Sequence, residues 1–320
     1  MPVVTSTYRA PPLLRGGHAQ TILPVFLPRL HPRWQTRERL ELPDGDFLDL
    51  FWQRGGHERL AILSHGLEGS VQAGYIRGMA ATLGKAGWDV LAWNYRSCGG
   101  VENRLPRSYH SGESDDLRLV IAHAAKSYPK IALIGFSLGG NITLKCLGET
   151  AAHLAIVAAV AVSAPVDLAS CARALDVRPG NAIYLRRFLH SLIGKMEAKA
   201  RRFPGHIQTR GIHRIRTIRE FDDRYTAPLH GFRDADDYWA RASSLPLLHC
   251  ITVPTLLLNA RNDPLLDLPS FPADIAAAVH TLYLEAPDHG GHVGFLDFTL
   301  SGQPWHERRV VQFLSAQASV

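Results

Sequence analysis

The chain predicts an α/β fold, a mostly parallel, doubly wound sheet with a block of helices inserted after its sixth strand. Three observations carry that expectation. Short apolar runs rich in β-branched residues alternate with helical periodicity along most of the 320 residues. One run, Lys130–Phe136, leads directly into Gly135-Phe136-Ser137-Leu138-Gly139 and then a helical pattern. The rhythm breaks once, between Asp167 and about Pro246, where helical patterns succeed one another with no clear strand.

Taken in order, residues 40–42 and 47–52 flank Pro43-Asp44-Gly45-Asp46 and read as a hairpin. Arg59–Ser64 is a short apolar strand running into His65-Gly66. Residues 88–95, 130–136 and 155–162 follow as strands, and 255–259 and 281–284 complete the set. Helical patterns cover 76–86, 115–127, 141–150, 275–279 and 307–316. Residues 1–166 and 247–320 are therefore expected to build one core, and 167–246 a helical cap over the strand ends, where open α/β sheets bind ligands.

Composition narrows the class. Hydrophobic residues at 46% and charged residues at 20% describe an ordinary globular chain, and a net charge of +6 comes with no nucleic-acid-binding pattern. Cys98, Cys146, Cys171 and Cys250 lie far apart, with no Cys-x-x-Cys spacing, which argues against a disulfide framework or metal knot. The first twenty residues lack the apolar core of a signal peptide, and the run 154–166 is too short to span a bilayer. A cytoplasmic protein is expected.

Gly135-Phe136-Ser137-Leu138-Gly139 between a strand and a helix has the form of a nucleophile elbow, a strained turn that exposes a serine. Side chains at 135 or 139 would collide with neighbouring backbone, and the first helical amides point toward the serine oxygen, so Leu138 is a candidate oxyanion donor. The second donor belongs after an early strand, which selects the Leu67 amide in Ser64-His65-Gly66-Leu67-Glu68-Gly69. The loop Asn94–Gly100 after the next strand is a candidate pocket wall with no catalytic part.

A serine nucleophile needs a base and an acid that orients the base, and in this fold they follow in the chain order serine, acid, histidine. Asp263, just past the apolar run 255–259, sits where the acid belongs. Asp167 is its rival, and reads as the cap of the first inserted helix. The last loop, Pro287-Asp288-His289-Gly290-Gly291-His292, offers two histidines. His292, between glycines and ahead of an apolar stretch, has the better place, and spacing alone leaves His289 open. A metal site on Asp288, His289 and His292 lacks helical spacing and a third matching histidine, so no metal or cofactor is expected.

Several blocks together resemble the YheT-like α/β-hydrolases: Gly17-His18-Ala19-Gln20-Thr21, His65 to Ser70, Tyr109-His110-Ser111-Gly112, Gly135 to Asn141, Tyr225 to Phe232, and Gly290 to Phe295. They run from near residue 16 to near residue 296. The resemblance implies an α/β-hydrolase fold and a triad on Ser137, Asp263 and His292, favouring His292 beyond what spacing supplies. It implies a hydrolase of poorly defined substrate, with relatives that act as lipid esterases or make esters; the residues themselves are read as a serine hydrolase of carboxylic esters, short- to medium-chain or lipid-like. An acyltransferase using an alcohol acceptor and a catalytically silent binding module are the alternatives. Three positions depart from the family pattern. Ser97 stands where glycine is frequent, Val71 where a second serine is, and Asn262 where aspartate commonly precedes the acid.

The insertion also carries Lys199, Arg201, Arg202, Arg210, Arg214, Arg216 and Arg219, with Phe203, Ile212, Ile215 and Ile218 between them. The plain reading is a solvated face. The sharper one is weak contact of the basic residues with an anionic membrane surface, the apolar residues lining an acyl pocket.

Overall fold

The structure, a computed structural model, describes residues 3–27, 33–297 and 303–318. The expected hairpin forms from β2 (Thr36–Glu41) and β3 (Phe47–Gln53), turning at Gly45, whose φ of +82° suits a residue without a Cβ. β3 pairs antiparallel with β5 (Asp89–Asn94). Beyond it the sheet is parallel, in the order β5, β4 (Arg59–Ser64), β6 (Lys130–Phe136), β7 (Ile156–Val162), β8 (Thr255–Leu258) and β9 (Leu282–Glu285). The far edge strand has no sequence signature. β1, only Val3–Val4, pairs parallel with β9, and two residues are too few to show a period. Because of it, the helical insertion follows the seventh strand and not the sixth.

Alternation along the central strands explains the layering. Leu60 and Ile62 of β4, Leu91 and Trp93 of β5, and Ile131 and Leu133 of β6 face one core. Ala61, Leu63, Val90, Ala92, Ala132 and Ile134 face the other. In chain order the helices before the insertion are α1 (Gly17–Phe26), α2 (Gly74–Lys85), α3 (Ser114–Ala124) and α4 (Leu138–Glu149). The insertion supplies α5 (Leu168–Val177), α6 (Ala182–Arg202), α7 (Ile218–Phe221), α8 (Ala227–Leu229) and α9 (Ala235–Ala242). Last come α10 (Ala273–Ala278) and α11 (Trp305–Ala318). Leu117 and Val120 of α3 and Ile142 and Leu144 of α4 cover the first core. Ile76 and Met79 of α2 and Val310 and Phe313 of α11 cover the second.

The insertion makes no strand and packs a third core of its own around Leu189, Ile193, Met196, Phe221, Tyr225 and Trp239. No helix among the described residues is long and apolar enough to cross a membrane. α1 was not foreshadowed by periodicity, since Gly16-Gly17 at its start and Pro24 within it erase the usual helical signal. It is nevertheless the helix that lies against the last loop.

Candidate active site

The elbow stores strain where chemistry can use it. Ser137 holds φ +53° and ψ −123°, a conformation costing a side-chain-bearing residue on the order of 1–3 kcal/mol. Its amide donates to the Val162 carbonyl at 2.8 Å, and its own carbonyl accepts from Gly140 at 2.8 Å to begin α4. The helix can start there because its neighbours lack side chains. A Cβ at Gly135 would lie 2.1 Å from the Gly139 oxygen, and one at Gly139 would lie 2.4 Å from the Ser64 oxygen.

At the sheet edge thus defined, three of the singled-out side chains meet in a row. His292 Nε2 lies 2.8 Å from Ser137 Oγ, and His292 Nδ1 lies 2.8 Å from Asp263 Oδ2. The second oxygen of Asp263 accepts from the Leu265 amide at 2.9 Å, and the carboxylate side chain is fully buried. His289 instead meets Asn262, 3.5 Å away, and Asp288 faces Arg261. Asp167 caps α5, accepting from the Ser170 amide at 2.8 Å, and Asp267 pairs with Arg178.

The bed under His292 comes from residues that local pattern could not select. Its amide donates to Thr21 Oγ1 at 2.9 Å, and that hydroxyl donates to the Gly17 carbonyl. The Val293 amide donates to Ser163 Oγ at 2.9 Å. Asn262 accepts from the Gly291 amide and donates to the Arg15 carbonyl, 2.8 Å away. An aspartate could accept the first bond but not donate the second, so asparagine at 262 clips the N-terminal segment to the histidine loop. Gly17 and Gly294 are required by proximity, since a Cβ at either would lie within 2.0 Å of a backbone oxygen.

The opposite wall is a tight turn, Gly66-Leu67-Glu68-Gly69, closed by the Gly69 amide on the Gly66 carbonyl at 3.0 Å. His65 beneath it is fully buried, and burial depresses its pKa to about 3, so the ring is neutral. Its Nε2 accepts from the Tyr95 amide, which leaves Nδ1–H to donate to the Gly66 carbonyl at 2.8 Å. Tyr75 accepts from the Gly66 amide at 2.9 Å. The amides of Leu67 and Leu138 serve no backbone acceptor among the described residues, and both residues line one cavity of about 80 Å³.

A sequence model of the alpha/beta hydrolase fold matches residues 62–299. The chain belongs to the α/β-hydrolase family. YheT of Escherichia coli strain K12, a protein named as an esterase, is 36% identical over 310 residues, covering 93% of this chain and 90% of that one. Phospholipase ABHD3 of Homo sapiens is 28% identical over 328 residues, 98% of this chain and 80% of that one. Among solved structures, the Pyrococcus furiosus esterase Pf2001 superposes with a TM-score of 0.60 at 19% identity, covering 91% of this chain and 97% of that one, a likeness of fold.

In this hydrolase the insertion shares the cavity wall with Leu67, Leu138 and the core segment Ser108 to Ser111. Leu192 and Met196 of α6, Ile218, Phe221, Tyr225 and Leu229 supply its apolar part, and Lys195, Asp222 and His230 its polar part. Of the apolar residues between the basic positions, Ile218 reaches this cavity, whereas Ile212 and Ile215 pack inside the insertion's own core. Asn94–Gly100 supplies no wall. Arg96 is buried in ion pairs with Asp116 and Asp44, at 2.8 and 2.7 Å. Ser97, in place of the frequent glycine, holds φ +63°, and its amide donates to Asn103.

Proposed function

We propose that this hydrolase cleaves carboxylic esters of short- to medium-chain acyl groups through an acyl-enzyme on Ser137. The observation that carries the reading is the unbroken row Ser137–His292–Asp263, each link 2.8 Å, on a strained elbow whose Leu138 lines the cavity. With Nδ1–H donating to Asp263, the lone pair of Nε2 faces the serine hydroxyl. Ser137 Oγ attacks the ester carbonyl as His292 takes its proton. The oxyanion settles between the Leu67 and Leu138 amides, each such donor being worth about 3–4 kcal/mol of barrier. Collapse breaks the ester C–O bond while His292 returns the proton to the departing alcohol, and water, activated by the same imidazole, releases the acid.

The small, apolar cavity beyond the two amides supports a short acyl group. Four free thiols support a reducing, cytoplasmic setting for the reaction. We treat the helices between β7 and β8 as a cap, on the support of their share in the cavity wall.

Ser137→Ala should lower hydrolysis of p-nitrophenyl esters on the order of a million-fold where chemistry limits the rate. An acyl-length series on the wild type should peak below long chains. A fluorophosphonate should modify Ser137 alone, as read by peptide mass spectrometry. Modification at another serine, or unchanged turnover in the variant, overturns the assignment.

A further inference from the structure

Glu68 occupies a place that backbone geometry reserves for glycine. It is the third residue of the turn Gly66–Gly69 and holds φ +54°, whereas a tight turn with positive φ there ordinarily selects Gly or Asn. A glycine stands next to it at 69, yet the strained residue is a carboxylate. Its side chain shows what holds it there. Oε1 accepts from Tyr109 Oη and from Lys195 Nζ, each at 2.7 Å, and Oε2 bonds to Ser191 Oγ. Tyr109 Oη also accepts from the Glu68 amide at 2.9 Å, so one phenol grips both ends of the residue.

Two of these three side-chain partners, Ser191 and Lys195, lie one turn apart on α6 of the insertion. Both ends of the pair are shielded, with the Glu68 side chain 5% exposed and that of Lys195 18% exposed. Lys195 spends a second proton on Cys98 Sγ at 3.1 Å, and burial keeps that thiol protonated by raising its pKa to about 11. The Leu67 N–H lies one peptide unit before the Glu68 N–H, and Leu67, Leu138 and Lys195 line the same cavity.

We infer that Glu68 is a positioning residue that ties the aim of the Leu67 amide to the seating of α6, so that the oxyanion site is complete only when the insertion is docked. This rests on the reading of Ser137 as nucleophile and Leu67 as oxyanion donor. The bonds from α6 compensate the left-handed backbone at 68, and the backbone at 68 fixes the peptide plane next to the donor. When α6 lifts, the carboxylate loses Lys195 and Ser191, and the turn relaxes toward the geometry a glycine-rich loop prefers.

Glu68→Gly separates this role from a merely structural one, because it removes the carboxylate and relieves the positive φ together. A plain turn residue would leave the variant fully active. The positioning role predicts, in the folded variant, kcat lowered about 10- to 100-fold and KM within about twofold, since misaiming a donor costs less than deleting it. Inhibition by an acyl trifluoromethyl ketone, whose hemiketal places an oxyanion in the same site, should weaken by the same factor as kcat. Lys195→Met, which leaves the residues of the turn unchanged, should shift both quantities in the same direction, and it decides the matter if Glu68→Gly fails to fold. Wild-type kcat and ketone affinity, or a loss confined to KM, overturns the inference. Ser137→Ala measured alongside keeps the two failures apart. If it still turns over ester the nucleophile reading falls, and if it is inert while the Glu68 and Lys195 variants are unaffected, only the positioning role falls.

Discussion

A histidine and an aspartate 29 positions apart share a bond of 2.8 Å here because two loops, after β8 and β9, end at the same sheet edge. That contact sets His292 apart from His289, which meets Asn262 and not the elbow. In steady-state ester assays His292→Ala should therefore be nearly as damaging as loss of Ser137, whose hydroxyl it would deprotonate, while His289→Ala keeps most activity. Asp263→Asn should fold but lose turnover by roughly four orders of magnitude, because the imidazole loses the anion that selects its tautomer. Asp167→Ala should cost about 0.5–2 kcal/mol of stability through the lost helix cap and leave kcat in place. Reversal of either ranking would move the base to His289 or the acid to Asp167. The residue types were legible because the chemistry demands them, and their places because this fold sets their order along the chain. Thr21, which holds the His292 amide from 271 positions away, was not, since a lone threonine in a helix carries no signal of a distant partner.

Among the elements, the insertion departs most from regular geometry, and one buried acid marks where. Asp222 opens a π turn, Asp222–Thr226, between α7 and α8. It accepts from Trp239 Nε1 at 2.9 Å and from Thr226 Oγ1 at 2.6 Å. Burial raises its pKa from 3.8 to about 7. Between those values the folded state keeps a proton that the unfolded chain has released. The stabilisation from Asp222 is thus complete below about pH 4 and is lost as pH rises through about 7. Asp222→Asn preserves the shape without the titration. Urea unfolding should show it more stable than the wild type at pH 8 by about 1–3 kcal/mol, the two converging toward pH 4. Equal curves at both pH values would mean that the carboxylate stays ionised in the fold. No sequence pattern announces this acid, because its burial depends on Trp239, seventeen positions away on α9.

For the whole molecule, a net charge of +6 overstates the freedom of its basic residues. Lys199 is fully buried and donates to the Leu105 and Arg107 carbonyls. Arg202 and Arg216 donate to backbone carbonyls, and Arg219 makes a two-point pair with Asp236. Arg201, Arg210 and Arg214 lie exposed. Three such arginines support only weak attraction to an anionic surface, about 1 kcal/mol each at low salt and screened near physiological salt. Co-sedimentation should show binding to phosphatidylserine vesicles at low salt, none to phosphatidylcholine, and loss of the difference on replacing all three by glutamine. Binding that ignores lipid charge or salt would make this stretch plain surface.

The sequence by itself determined the repeating units and their order. Short apolar runs placed the central strands within a residue or two, the glycines around Ser137 announced the elbow, and the acid and base candidates followed in the expected succession. These features are local, because they follow from backbone sterics and from which face of an element is buried. The tertiary structure decided what depends on meetings between distant segments. It chose His292 over His289 for contact with Ser137, added Val3–Val4 to the sheet, and set the start of α4 at Leu138, just ahead of Gly139 and Gly140. It also put a strained Glu68 under the hold of α6, 123 and 127 positions away. Such pairings leave no period in the chain, since only packing brings the partners within reach of a hydrogen bond.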